Sequence, residues 1–168
     1  MKNINKPLIA CLIAGISLLS NTGSAQVKNK NVKEIHFKKY TLTNEFISEG
    51  SAVGDLNNDG KIDIIAGAYW FEAPDWKQHE IDEPKKFDWK NGYSNSFLNH
   101  AMDVNQDGWL DIIRVDFPGE PSVWYENPKN KEGHWKMRVL YSSVGNESPR
   151  FVDVDGDGRT DLLCADSK

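Results

Sequence analysis

The sequence predicts an all-β domain built from repeated units of four short strands. An aspartate-rich stretch occurs three times, and its copies begin at Asp55, Asp103 and Asp153, 48 and 50 residues apart. Each copy is followed by a short apolar run with many β-branched residues, which is typical of a strand. No segment after residue 25 shows a sustained helical period. Self-similarity at this spacing indicates stacked units that bury their apolar faces against one another.

The four strands of a unit follow from the order of its motifs. One strand enters the acidic turn and a second leaves it. A third is predicted at WFEAP and WYENP, residues 70–74 and 124–128. A fourth is predicted at DWKQHEI and HWKMRVL, residues 75–81 and 134–140, where apolar and polar residues alternate.

Three further segments complete the predicted organisation. HFKKYTL, residues 36–42, is similar to the fourth strand of a unit, so we expect a strand there. The polar stretch at residues 82–96 predicts a surface loop. After Asp161 the chain continues for seven residues, into one more apolar run. Two whole units and two pieces therefore lie within residues 34–168.

The first 25 residues are expected to be an export signal. Lys2 and Lys6 precede an apolar run at residues 7–19, and small residues follow at 23–25, where a signal peptidase would cut. The run is too short to span a bilayer, and residues 26–33 are predicted to be a linker. LIAC, residues 8–11, loosely fits a lipoprotein cleavage box and leaves that alternative open. We expect a secreted, periplasmic or cell-surface protein without a transmembrane segment in its mature form.

The charge of the chain indicates its class of partner, and its cysteine content decides whether a disulfide can form. The formal net charge is −5 and the acids concentrate in the three turns, which favours cations and argues against nucleic acid. Cys11 would leave with the signal, so Cys164 would have no intramolecular disulfide partner. Cys164 is read as a buried strand residue, with a reactive thiol as the alternative.

The acidic turns have the residue types of a calcium loop. Oxygen-bearing side chains recur at positions 1, 3, 5 and 9 of each turn, glycine stands at position 6, and the backbone carbonyl at position 7 completes the set. Without a cation, several carboxylates within a few ångströms would repel one another. A solvated Asx turn is the alternative for any single copy, and three copies in register favour calcium over it. Magnesium keeps its waters and zinc prefers His or Cys. The predicted ligands are Asp55, Asn57, Asp59, Lys61 and Asp63 in the first turn; Asp103, Asn105, Asp107, Trp109 and Asp111 in the second; and Asp153, Asp155, Asp157, Arg159 and Asp161 in the third.

The pattern GDLNNDGKIDIIAGA, residues 54–68, resembles the FG-GAP/VCBS repeats of β-propellers, including those of integrin α subunits. The EF-hand is a poorer match, because position 12 is Ala66, Arg114 or Cys164 rather than Glu. The resemblance covers roughly residues 34–168. It implies propeller blades, each a four-stranded antiparallel sheet, with Ca²⁺ held in the loop between two strands. A propeller needs four to eight blades to close, so we expect an incomplete, amino-terminal part of a larger propeller.

Four polar residues are candidates for a catalytic or sugar-binding site. They stand where the first repeat has alanine, at the ends of strands predicted to line a central channel. Ordinary strand-end polarity is the alternative, and Arg114 is expected to pair with Asp116. The candidates are His100, Asp116, Arg150 and Asp166.

Aromatic residues fall into two groups. Those that recur between repeats are expected to pack between blades, namely Trp70, Trp76, Trp124 and Trp135. Trp89 and Trp109 do not recur, and each is a candidate platform for a sugar ring.

Two functions follow from these predictions. The favoured one is an exported, calcium-binding propeller module for glycan or extracellular protein ligands. The alternative is a carbohydrate lyase or dehydratase, because WYENP and HWK are similar to elements of aldos-2-ulose dehydratase-type propellers.

Overall fold

The computed structural model describes residues 34–166 of a chain that divides into two units, residues 1–39 and 40–168. In the first unit, the described residues 34–39 have no regular secondary structure. The second unit contains ten β-strands, which confirms the all-β prediction. Its strands are β1 (Ala52–Gly54), β2 (Asp63–Ala66), β3 (Tyr69–Glu72), β4 (Lys77–Glu80), β5 (Leu98–Met102), β6 (Asp111–Val115), β7 (Ser122–Glu126), β8 (Lys136–Tyr141), β9 (Arg150–Val152) and β10 (Asp161–Leu163).

The predicted export signal and linker, residues 1–25 and 26–33, lie outside the described residues. Within 34–166 there is no helix with the length and hydrophobicity needed to cross a bilayer.

The strands form three antiparallel sheets in sequence order. The first sheet has the order β1-β2-β3-β4 and the second β5-β6-β7-β8, while the third pairs β9 with β10. The four-strand unit predicted from the motifs is therefore confirmed in the first two sheets, and it matches the architecture of propeller blades. The third sheet contains the first two strands of the same unit.

The register at the acidic turn is the same in all three sheets. The residue that precedes each turn pairs with the aspartate that ends it: Gly54 with Asp63, Met102 with Asp111, and Val152 with Asp161. This shared register follows from the equal spacing of the motif in each copy.

Two apolar cores lie between the sheets. The first joins Leu56, Ile65, Trp70 and Ile81 of the first sheet and its loops to residues from the second sheet, Ile112, Tyr125 and Trp135. The second core joins the second and third sheets, with Ile113, Val115 and Val144 at its centre. Because strand side chains alternate in direction, Ile112 and Ile113 enter different cores. Strand β6 is consequently buried along its whole length.

The prediction of a strand at residues 36–42 is wrong. No strand is assigned between residues 34 and 51. Ile35 and Phe37 are 74% and 93% exposed, so these apolar residues are not buried as in a core strand. A strand without a paired neighbour and a covered face is not stable in water.

The predicted surface loop at residues 82–96 is confirmed, because it contains no strand. Both of its ends are anchored. The Asp82 carboxylate accepts a hydrogen bond from the Tyr125 hydroxyl at 2.6 Å, and Glu49 accepts hydrogen bonds from the backbone and the hydroxyl of Ser94. These anchors hold the loop against the first two sheets.

Candidate metal centres

The three acidic turns have one backbone conformation. The glycine at position 6 has a left-handed φ of 84° at Gly60, 86° at Gly108 and 84° at Gly158, as the motif predicted. Residues with a side chain rarely adopt this conformation, so glycine is the favoured choice there. Position 4 is also left-handed, with φ of 57° at Asn58 and 60° at Gln106. Sequence analysis missed this second constraint, although Asn at this position is a usable signal.

The first aspartate of each turn accepts hydrogen bonds from backbone N–H groups. The N–H of the position 6 glycine donates to Oδ2 of Asp55, Asp103 and Asp153 at 2.9, 2.8 and 2.9 Å. The residue at position 3 acts in a similar way. Its Oδ1 accepts the N–H of position 5 at 3.1 Å in every turn. The turns are thus held in one shape by their own side chains.

The aspartate at position 9 joins the turn to the neighbouring strand. Asp63 accepts the N–H of Leu56 at 3.0 Å and that of Ala73 at 2.9 Å. Asp111 repeats this arrangement with Val104 at 3.1 Å and Asn127 at 2.8 Å. The last of these N–H groups lies just beyond β7, so one carboxylate fixes both the turn and the end of the third strand.

Burial distinguishes position 9 from the rest of the turn. Asp63 and Asp111 are fully buried, and burial raises the pKa of both carboxyls, while the hydrogen bonds from the backbone partly offset the effect. Two N–H donors offset part of the free-energy cost of burying a carboxylate, and a bound cation would offset the rest.

The aspartate at position 5 pairs with a basic side chain in each turn. Lys61 Nζ lies 2.6 Å from Asp59, and Arg159 Nε lies 2.8 Å from Asp157. These hydrogen bonds lower the pKa of both carboxyls. In the second turn Lys129, from the loop after β7, lies 3.1 Å from Asp107. Part of the charge of each turn is therefore neutralised by the chain itself.

Oxygen ligands converge most clearly in the third turn. One carboxylate oxygen from each of Asp153, Asp155 and Asp161 lies within 4.8 Å of the others. The first and second turns have Asn57 and Asn105 in place of Asp155, and an amide oxygen is a ligand of the same hard class. The donor set fits calcium in all three turns.

The four candidate catalytic residues have other neighbours. His100 packs edge-on against Phe151, with ring centroids 4.7 Å apart, and its Nε2 is buried without a hydrogen-bond partner. Burial lowers the pKa of His100. Asp116 accepts the N–H of Phe117 at 2.7 Å, Asp166 accepts the Tyr141 hydroxyl at 3.1 Å, and Arg150 is exposed.

The sequence suggested that Arg114 pairs with Asp116, but in the structure Arg114 pairs with Asp82 instead. Its guanidinium lies 3.4 Å from the Asp82 carboxylate and packs over the Tyr125 ring, 4.9 Å from the centroid. Arg114 and Asp116 are two residues apart, so an extended chain would place them on the same face. Groups from other segments can nevertheless reach the Arg114 guanidinium and pair with it. Here the long loop brings Asp82 to Arg114, which no local sequence pattern indicates.

The recurring tryptophans divide by position. Trp70 and Trp135 lie in the first inter-sheet core, as predicted. Trp76 and Trp124 are half-buried, Trp76 against the Tyr40 ring and Trp124 beside the Arg138 guanidinium. Among the non-recurring pair, Trp89 is 68% exposed. Trp109 is half-buried.

A groove of roughly 680 Å³ lies between the first two sheets. Two histidine–glutamate pairs line it: His79 with Glu72 at 2.7 Å, and His134 with Glu80 at 3.2 Å. The second pair joins the two sheets. Sequence analysis missed both pairs because their members lie on different segments of the chain.

A second feature missed by sequence analysis is a cluster of three aromatic rings. Tyr93 lies 4.8 Å from Phe117 and 6.0 Å from Phe97 between ring centroids, and Phe97 lies 5.9 Å from Phe117. Phe97 precedes β5 and Phe117 follows β6, so the cluster is at the end of this strand pair opposite its acidic turn. Tyr93 is 61% exposed and Phe117 is 39% exposed. We call these residues the aromatic cluster.

Comparison with known families identifies one repeat. Residues 103–164 match the family model of the FG-GAP-like repeat. The match runs from position 1 of the second turn, through β6 to β10, and confirms the resemblance over this part of the chain. Among curated proteins and solved structures, nothing matches the chain.

Proposed function

We propose, from the premise that residues 103–164 carry an FG-GAP-like repeat, that this chain is an exported calcium-binding module of the β-propeller type that binds a glycan or protein ligand. One observation supports the calcium assignment above the others. Three turns far apart in the sequence share the same register, the same left-handed positions and the same hydrogen bonds from the N–H groups of positions 5 and 6 to the side chains of positions 3 and 1.

The residues at positions 1, 3, 5 and 9, with the position 7 carbonyl, would hold the ion in each turn. Calcium takes six to eight oxygen ligands and tolerates irregular geometry, which suits a loop of carboxylate, amide and carbonyl oxygens. When bound, the ion supplies positive charge among carboxylates that otherwise repel. At position 5 it would compete with the basic side chain that now pairs with Asp59, Asp107 or Asp157.

The structural consequence of binding is a more rigid sheet. Asp63 and Asp111 each join a turn to the end of the third strand of their sheet. An ion bound to the free lone pairs of these carboxylates would fix their position as well. Since binding to the folded state alone stabilises it by mass action, calcium is expected to raise the melting temperature.

Titration calorimetry with CaCl₂ on the full chain tests this assignment. We expect heat of association, a rise in melting temperature, and a much weaker response to MgCl₂. The variant Asp153→Ala should remove part of the heat, since it deletes one ligand set. Asp88→Ala, in the surface loop, is the matched control and should behave like the wild type. No heat with calcium, together with a melting temperature unchanged by EDTA, would overturn the proposal.

The aromatic cluster supports the ligand-binding role. Contiguous exposed apolar patches often mark binding sites, and flat rings stack well on the faces of sugars and on apolar side chains. A glycan array probed with the full chain should give signals that Tyr93→Ala reduces. Phe37→Ala serves as a control for general loss of exposed aromatic surface, because this ring is 93% exposed and lies outside the aromatic cluster. Equal signals from the wild type and Tyr93→Ala would show that the cluster does not bind the glycan.

The alternative, a carbohydrate lyase or dehydratase, has less support. It requires His100 with acidic residues at a substrate cavity. His100 instead packs on Phe151, and neither it nor the other three candidates lines the groove between the first two sheets or the one between the second and third. Turnover of sugar substrates by the full chain that is lost in His100→Asn would restore this alternative.

A further inference from the structure

The groove between the first two sheets has the size of a small-molecule site. Its volume is roughly 680 Å³, within the range of about 300–1,000 Å³ that is typical of such sites. One wall comes from the first acidic turn, β3 and β4, and the other from the segment between β7 and β8. Trp70 and Trp135, which belong to the first core, also line it. None of its lining residues belongs to the aromatic cluster.

On the first wall, His79 is fixed by three neighbours. Its ring stacks on Trp70, with centroids 4.2 Å apart and planes inclined by 11°. Its Nε2 lies 2.7 Å from Glu72 Oε2, and Glu72 Oε1 accepts a hydrogen bond from Asn57 Nδ2 at 3.3 Å. A side chain held in this way loses little conformational entropy when a ligand binds to it.

The second wall carries a similar pair, in which His134 Nε2 lies 3.2 Å from Glu80 Oε2. An ionised carboxylate can only accept a hydrogen bond, so each neutral imidazole carries its proton on Nε2 and its Nδ1 is an acceptor. Among residues 34–166, no hydrogen bond joins Nδ1 of His79 or His134 to another group. Each pair therefore leaves one imidazole nitrogen for a donor from a ligand.

The two pairs do not have the arrangement of a metal site. In the described part of the chain, three ligand atoms of His, Cys, Asp or Glu converge within 4.8 Å only at the third acidic turn. The groove consequently does not supply three such ligands to one ion. A molecule that reaches from one pair to the other suits this spacing better.

The charges of the groove indicate the class of that molecule. Three of its four carboxylates already pair with Lys61, His79 or His134, and side chains of both signs are present. A strongly charged ligand would meet like charges in the groove. Hydroxyl groups donate to carboxylates and imidazole nitrogens and accept from ammonium and amide groups, so they satisfy the whole lining. The charged lining residues are Asp59, Glu72, Glu80, Glu132, Lys77 and Lys131.

We propose that this groove binds a neutral saccharide whose hydroxyl groups form hydrogen bonds with His79, His134 and the carboxylates of Glu72 and Glu80. The C–H face of a sugar ring packs on the exposed part of Trp135. The inference gives a site and a ligand class to the glycan-binding role and in that respect rests on the proposed function. It requires neither the calcium assignment nor the aromatic cluster.

Titration calorimetry of the full chain tests the ligand class. The neutral probes are cellotetraose, mannotetraose and xylotetraose, and the charged probes are tetragalacturonate and the chitosan tetramer. We expect saturable binding of at least one neutral tetrasaccharide, with the charged probes binding at least tenfold more weakly. Absence of binding by every neutral probe at millimolar concentration, or preferential binding of a charged one, would overturn the proposal.

Two histidine variants test the site. His134→Ala and His79→Ala should each bind the neutral probe about tenfold more weakly, because each loses a hydrogen bond and the orientation of its glutamate. The side chain of His134 is 49% exposed, so this variant should keep the wild-type melting temperature and separates binding from folding. Gln78→Ala is the matched control: Gln78 is exposed, adjoins His79 on β4 and does not line the groove. Equal affinity of His134→Ala and the wild type would overturn the proposal.

Tyr93→Ala distinguishes the groove from the aromatic cluster. The saccharide that His134→Ala binds weakly should bind to Tyr93→Ala as to the wild type, and hydrogen exchange should show new protection at residues 77–80 and 128–135. Binding that Tyr93→Ala removes and His134→Ala leaves intact, or protection confined to residues 93–97, would overturn the groove assignment. The glycan-binding role itself would survive that result.

Discussion

Replacing Asn127 by alanine is expected to be among the most damaging single changes away from the acidic turns. The side chain is 4% exposed and lies between the first two sheets. It donates to the carbonyls of Leu56 and Leu110, and its Oδ1 accepts the Lys129 N–H at 2.8 Å.

The size of the effect follows from these contacts. Three hydrogen bonds worth about 1 kcal/mol each are lost, and two carbonyls remain without donors, so the free energy of unfolding should fall by about 3 kcal/mol. For a domain of this size that corresponds to a fall in melting temperature of about 10 °C. Asn127→Asp has nearly the same shape but faces both carbonyls with oxygen, and its loss should be at least as large.

The assay is urea denaturation of the full chain in calcium-containing buffer, followed by tryptophan fluorescence. Asn130→Ala is the control: Asn130 is exposed, donates one bond to the Asn57 carbonyl at 3.1 Å and has a left-handed φ of 61°, so its loss should be about 1 kcal/mol. If Asn127→Ala loses no more stability than Asn130→Ala, the reasoning that this side chain joins the sheets is wrong.

Three further predictions concern the backbone and pH. Gln106→Asn should raise the free energy of unfolding by about 0.5 kcal/mol, because Asn tolerates the left-handed φ of 60°; an unchanged urea midpoint would contradict this. Gly67→Ala should lower the free energy of unfolding by about 2 kcal/mol or more, since a Cβ there would lie 2.4 Å from the Ile47 carbonyl oxygen and the residue has a φ of 63°. Gly92→Ala, where a Cβ meets open space, is the control and should leave the melting temperature unchanged. Burial holds the pKa of His100 below 6.5, so the unfolded chain binds more protons and stability falls as pH drops through that value. The free energy of unfolding of His100→Phe should fall less than that of the wild type between about pH 7.5 and 5.5. If both proteins lose stability equally over this range, His100 makes no contribution to the pH dependence.

Local periodicity explains why the repeat and its four strands were predictable. The turn around Asp55, Asn57 and Gly60 is specified by residues within ten positions of one another, and the hydrogen bonds that set its shape run between its own residues. Strand order follows because each strand pairs with its neighbour in sequence. The same logic failed for residues 36–42, where a strand-like pattern has no sheet to pair with in the structure.

The sequence by itself determined the acidic turns, the strand content and the apolar run of β6, because these depend on the chemistry of adjacent residues. Only the tertiary structure decided which distant groups meet. Asp82 reaches Arg114 and Tyr125, Asn127 joins two sheets, and two histidine–glutamate pairs line one groove. Such contacts depend on how sheets stack and where loops return, and the free energies involved come from burial and pairing across many residues rather than from any local pattern.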